Sequence, residues 1–259
     1  MGNFSANWLA LREPADHAAR SLDLTRATVA AIGSEPSPQI LDLASGTGSN
    51  LRYLLPHLPA AGWLLVDHDA DLLARVPATP AIETRCLDLS SLDHPELFEG
   101  RRLVTASALL DLVSEDWLRG LAAACAKGES AVLFVLSYDG RIICTPEDSD
   151  DGLVAALVNE HQRTDKGFGP AVGPDATACA AVNFADLGYE VQRAPSDWVL
   201  TPDAVELQRQ LIDGWTQAAC EMSPGQTRLI DRWRERRLAH LAAGWSSITV
   251  GHEDLAAWR

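Results

Sequence analysis

Ile40-Leu41-Asp42-Leu43-Ala44-Ser45-Gly46-Thr47-Gly48-Ser49-Asn50 is an apolar run that ends in an acid and passes into a loop of small residues. Ile40 to Leu43 reads as a buried strand, and Leu51, Leu54 and Leu55 begin the apolar stripe of a helix. The unit is a strand, a glycine turn and a helix N-terminus. Gly46 and Gly48 carry no Cβ and reach positive φ, so backbone there can approach a ligand closely. The helix start offers unpaired N–H groups to whatever sits in the turn.

Spacing narrows the ligand. A dinucleotide turn wants G-x-G-x-x-G, and Leu51 stands where the third glycine belongs. A P-loop would close with Gly-Lys-Ser/Thr, and no lysine is present. Asp-x-x-x-Gly-x-Gly remains, which resembles the first motif of the class I S-adenosylmethionine (SAM) dependent methyltransferases. Trp63 to Asp67, followed by His68 and Asp69, is a second apolar strand ending in acid, about 25 residues after Asp42 and near the ~20 at which a nucleotide fold places its ribose-binding carboxylate. Cys86-Leu87-Asp88-Leu89 and Leu103 to Asp111 match the family's next two motifs in order.

The resemblance implies SAM as cofactor. It assigns Asp42, Ala44, Ser45, Gly46, Gly48, Asn50, Asp67, His68, Asp88, Leu89 and Ser107 to cofactor contacts, with Asp67 on the ribose and Asp88 toward the adenine. Ala44 replaces the first glycine often found in the motif. Arg12, in a helix ahead of the first strand, is a candidate clamp on the cofactor carboxylate; a surface ion pair within that helix explains it equally.

Strands alternate with helices, which predicts an α/β fold with a doubly wound, mostly parallel, seven-stranded sheet of Rossmann-like methyltransferase type. One domain over 1–259 is expected, with a helical cover at 1–35, broken near Pro14, and helical lid or substrate insertions at 138–175 and 202–243. The fifth strand is read over Ala131 to Ser137, a sixth from Tyr189 to about Leu200, and a last one over Ser246 to Gly251, which in the resembled family runs antiparallel between strands five and six.

The 259 residues are 47% hydrophobic, enough for a sizeable core, and carry a net charge of −15, which repels phosphate backbones and anionic lipid. Nucleic-acid and membrane partners are disfavoured. Arg232, Arg234, Arg236 and Arg237 form the one dense basic cluster and read as a solvated helix face. Five spread cysteines without a C-x-x-C pair, no H-x-x-x-H and no signal sequence point to a metal-free protein of the cytoplasm.

Methyl transfer from a sulfonium needs a nucleophile in line, so positioning supplies much of the rate and a base is optional. Asp111, Tyr138 and His161 are the catalytic candidates, against the plainer roles of helix cap, core ring and exposed helix face. The expected acceptor is a small molecule methylated at O, N or C, and the helical pair after residue 202 is a candidate homodimer surface. Two alternatives stand beside this: a non-catalytic SAM-binding sensor or partner subunit, and an NAD(P)-dependent oxidoreductase, although no tyrosine here is followed by lysine in Tyr-x-x-x-Lys.

Overall fold

The computed structural model describes residues 4–33 and 35–259; Met1 to Asn3 and Ser34, within the expected N-terminal cover, lie outside the described residues. Helices α1 (Ala6–Ala19) and α2 (Leu22–Ala31) precede β1 (Gln39–Leu43), and α3 (Ser49–Leu54) leaves the glycine turn. Then come β2 (Gly62–Asp67), α4 (Ala70–Leu73), β3 (Ile82–Cys86), β4 (Leu103–Ser107), α5 (Glu115–Lys127) and the long β5 (Ala131–Thr145). They are followed by α6 (Asp151–Gln162), α7 (Ala176–Asp186), β6 (Glu190–Pro195), β7 (Trp198–Leu200), α8 (Val205–Met222), α9 (Thr227–Ala242) and β8 (Ser247–Trp258).

The sheet order is β3-β2-β1-β4-β5-β8-β6, with β7 also paired to β8. Neighbours among β1 to β5 are parallel, and β8 runs antiparallel between β5 and β6. Side chains alternate across the strands and bury both faces. Ile40, Trp63, Leu65, Leu103, Leu133 and Val135 pack with Leu24, Leu51 and Leu54 on one side. Leu41, Leu43, Leu64, Val66, Val104 and Phe134 pack with Trp117, Leu121 and Phe184 on the other. The doubly wound, mostly parallel sheet is the expected one.

Four boundaries differ from expectation, each for a local reason. Pro14 lies inside a continuous α1, and the break falls at Arg20, where Ser21 caps α2 by accepting from Leu24 N. The stretch from Tyr189 to Leu200 is two strands rather than one, which makes eight among the described residues: after Pro195 the Asp197 carboxylate turns to His252 N and Arg141. Residues 138–145, expected at the head of the insertion, continue β5, because Asp139-Gly140 forms a bulge (Gly140 φ 91°) instead of a turn. The last strand runs on past Gly251 to Trp258.

That extension depends on a buried acid. Leu136 sits at φ 57° where the β5–β8 ladder shifts register, so its N–H turns away from the ladder. Asp254, fully buried, accepts that N–H at 2.8 Å and Ser21 N at 2.9 Å. A side chain thus replaces a missing backbone acceptor and ties α2 to the sheet.

The arginine cluster is not a solvated face throughout. Arg237 is fully buried, donates to Asp151 and to Pro146 O, and shares Asp151 with Trp233 Nε1. Arg236 grips Asp148 and Asp150, and Arg234 pairs with Asp213 of α8. These contacts clamp α9 to the start of α6 and to α8. Arg237→Ala leaves Asp151 with a lost partner and is expected to destabilise the fold by about 3 kcal/mol, measured as a shift in the urea midpoint; an unchanged midpoint would show that the clamp is incidental.

Candidate active site

The glycine turn is built from left-handed backbone. Ala44, Gly46 and Gly48 have φ of 50°, 52° and 81°. Ser45 N donates to Val66 O at 3.0 Å and Gly48 N to Ser45 O at 2.8 Å, so the turn is tied to the end of β2. There Asp67, buried, accepts Gly46 N at 2.7 Å on Oδ2 and Asp69 N at 2.9 Å on Oδ1, with His68 Nδ1 at 3.3 Å from Oδ1. Oδ2, with the single donor Gly46 N, keeps a further lone pair for a ligand hydroxyl.

Beneath the turn Asp42 is fully buried. Its Oδ1 accepts Asn50 Nδ2 at 2.7 Å, the same amide donates to Thr105 Oγ1 at 3.1 Å, and Arg20 Nη1 donates to Asn50 Oδ1 at 2.7 Å. Arg20 lies 3.8 Å over the Tyr53 ring. Burial pushes the Asp42 carboxyl up to about 7 against the pull of Asn50 and Arg20. Four polar atoms of this region have no partner among the described residues: Asp42 Oδ2, Ser45 Oγ, and Nε and Nη2 of Arg20. Buried polar groups are ordinarily satisfied, so such a group of orphans marks where a polar ligand or ordered water belongs.

Helix α1 roofs the turn. Glu13 pairs with Arg52 of α3, which also donates to Thr47 O, and His17 Nε2 lies 3.1 Å from Ser49 O. A Cβ on Gly46 would come within 3.0 Å of Leu9 Cδ1. Further along the sheet Arg12 binds Asp16 bidentately and lies 4.9 Å over Trp198, whose Nε1 donates to Asp16. Arg12 is therefore spent within α1 and on Trp198, and the buried arginine beside the glycine turn is Arg20.

A second group of buried polar side chains gathers after the end of β4 and in the middle of the β5–β8 ladder. Asp111, in a 3-10 turn after β4, is 5% exposed with Oδ1 unpartnered. Burial raises its carboxyl to about 6, against nearby backbone N–H groups and Arg12. Tyr138 stands opposite His252 in the β5–β8 register, ring centroids 6.3 Å apart, and donates to Asn159 Oδ1 at 2.8 Å. Trp198 lies 5.1 Å from His252. Burial, with the charge of Arg12, lowers His252 to about 3, so it is neutral.

Other sequence candidates fall elsewhere. His161 pairs with Glu221 of α8 at 3.1 Å and meets Lys166 at 3.3 Å, away from Asp111 and Tyr138 in its contacts; it is part of the α6–α8 packing. Asp88 is exposed and closes on Ser90 N of its own turn, while Leu89 is core, its carbonyl accepting Trp117 Nε1. Ser107 ends β4, half-buried, beside Ala108 at φ 53°. Trp215 packs in the core. Arg20 and His252 carried no motif: one follows a helix break, the other lies beyond where the last strand was expected to stop. Among the described residues no group of three or more His, Cys, Asp or Glu could hold a metal ion, and no helix is long and apolar enough to cross a membrane.

No protein-family model and no curated protein sequence matches the chain. Solved structures do. The chain is similar to the cyclopropane synthase MmaA2 from Mycobacterium tuberculosis, with a TM-score of 0.52 at 13% identity over 98% of this chain and 94% of that one. It is also similar to the YcgJ protein from Bacillus subtilis, with a TM-score of 0.53 at 12% identity over 92% and 99%. The fold is that of the class I SAM-dependent methyltransferases. The antiparallel strand between β5 and β6 is its departure from an all-parallel dinucleotide sheet.

Two measurements probe the turn. Ala44→Gly removes the Cβ from a left-handed residue and is expected to stabilise the protein by about 1 kcal/mol in urea unfolding; a loss would mean that the methyl packs better than the backbone strains. Asp42 holds its proton more tightly folded than unfolded, so its contribution to stability drains away as pH rises from 3.8 through about 7. Asp42→Asn does not titrate. Its stability relative to wild type should rise between pH 5 and pH 8 by about 1 kcal/mol or more; a pH-independent difference would contradict the raised pKa.

Proposed function

We propose that the protein is a SAM-dependent methyltransferase acting on a small-molecule acceptor. The observation that carries this is the pair of buried acids at the ends of β1 and β2 around a left-handed glycine turn, with orphaned polar atoms beneath it, on a class I methyltransferase sheet. These residues suit the cofactor. Asp67 would take the ribose hydroxyls, Gly46 and Gly48 let the chain approach, and the open donors of Arg20 suit a carboxylate. Asp42 and the acidic surroundings suit its ammonium and sulfonium charges. SAM supplies an electrophilic methyl group when bound.

This chain's own part is to orient and to exclude water. Helix α1 covers the glycine turn through Leu9, Glu13 and His17, and Asp111, Tyr138, Trp198 and His252 form a buried polar wall beside it. That wall favours an enzyme over a binding-only sensor, since a sensor needs no second buried polar site. An oxidoreductase is disfavoured by the missing third glycine and by the antiparallel strand. The net charge of −15 disfavours nucleic acid, and five unpaired cysteines suit a reducing cytoplasm.

Calorimetric titration with S-adenosylhomocysteine, NADH and an Asp67→Ala variant tests the assignment. Binding on the order of micromolar to wild type, lost at least tenfold in the variant and absent for NADH, is expected. NADH binding, or no S-adenosylhomocysteine binding by ligand-free protein, would overturn it.

A further inference from the structure

We propose that the protein pairs with a second copy of itself through the outer face of the extended β5–β8–β7 sheet, the Trp245 ring of each copy stacking on the partner's Arg141. Antiparallel register sets Ile143 of β5 and Val199 of β7 on either side of Thr249 of β8, so their side chains share one face. Ile143 and Val199 are 53% and 69% exposed, whereas Cys144, Ile248 and Val250, on the opposite face, are core. Alternation along β8 carries the outer face through Ser247 to Trp245, which follows the left-handed Gly244 after α9 and is 68% exposed. At the other end Asp139 and Arg141 cover Gly251, where a Cβ would come within 2.7 Å of Arg141 Cβ. The face is thus a strip with a ring at one end, a guanidinium at the other and small hydroxyl residues between.

Arg141 limits what can cover it. Its Nε and Nη2 donate to Asp139, and Nη1 and Nη2 to Asp197, so two edges of the guanidinium are taken by carboxylates and its flat faces remain. A half-exposed guanidinium held this way accepts an aromatic ring. Trp245 is the most exposed aromatic side chain among the described residues.

Ring and guanidinium cannot meet within one copy, because the stretch of β8 from Trp245 to Gly251 separates them by about 20 Å at the rise of a strand. A two-fold axis that lies in the interface and crosses the strands between Ser247 and Thr249 reverses one strip upon the other. Both ring–guanidinium pairs then form at once, as an isologous contact requires. The small Ser247 and Thr249 let the two sheets close to about 10 Å, and Ile143 and Val199 lose their water. Copies of charge −15 repel at a distance, but Arg141 offsets one of the two carboxylates beside it, so the strip itself carries little charge. A lipid surface offers Arg141 no ring, and the α8–α9 pair spends Trp215 and Trp233 in the core.

The test is sedimentation velocity of the full chain from about 1 to about 100 μM, in raised salt that screens the net charge. Wild type is expected at twice 27.9 kDa. Trp245→Ala should raise the dissociation constant at least tenfold, Arg141→Lys, which keeps the charge but loses the plane, several-fold, and Ile143→Lys should abolish pairing. Val182→Lys, at an exposed apolar position of α7, should leave it unchanged. Circular dichroism of each variant checks that it is folded. A wild type that stays monomeric, whether or not it floats with phosphatidylcholine vesicles, or a dimer indifferent to Trp245→Ala and Ile143→Lys, would overturn the proposal.

Discussion

A carboxylate with no solvent at the end of the first strand is the constraint around which the rest is arranged. Asp42 is fully buried, and a buried charge without partners is costly enough that the structure must bring some to it. Asn50 comes from α3, just past the glycine turn, and bridges Asp42 to Thr105 of β4. Arg20 comes from the break between α1 and α2 and closes on Asn50. One polar chain thus fixes where the turn lies, where α3 starts and how the N-terminal helices enter the fold. It remains incompletely satisfied: Asp42 Oδ2 and Nε and Nη2 of Arg20 have no partner among the described residues.

Helix α1 joins that chemistry to the neighbouring polar wall. Its Glu13 and His17 hold α3 at the glycine turn, while Arg12 and Asp16 reach Trp198 of β7. The glycine turn and the polar wall therefore share one covering helix, which ends at Arg20. Opposite the roof, the extended β5–β8 pair supplies Tyr138 and His252, and it exists as a regular platform because Asp254 receives the backbone donor that the bulge at Leu136 leaves over. Two buried acids, Asp42 and Asp254, do for backbone geometry what apolar packing does elsewhere in the core.

The sheet was legible because its first four strands end in signals that do not depend on tertiary context. Apolar runs closing in Asp42 and Asp67, a glycine pair between them, and regular alternation with helices are local patterns. What was not legible depends on partners distant in sequence. Asp139-Gly140 has the composition of a turn, yet pairing with β8 makes it a bulge. Glu253 and Asp254 look like the end of a strand, yet Asp254 is buried because Leu136, far away in the chain, needs its oxygen. Arg237 sits in a run of charges that reads as solvated until Asp151 and Trp233 are placed around it. Arg12 was the arginine singled out by sequence; Asp16 engages it within α1, while Arg20, at the helix break, is the one that reaches Asn50.

The most direct measurement is a crystal structure of the protein with S-adenosylhomocysteine. The ribose hydroxyls are expected on Asp67, the amino-acid portion over Gly46 with its carboxylate on the unpartnered donors of Arg20, and the sulfur facing the wall of Asp111, Tyr138 and His252. A ligand bound elsewhere, with Asp67 still engaged only by Gly46 and Asp69 and with Arg20 untouched, would contradict it.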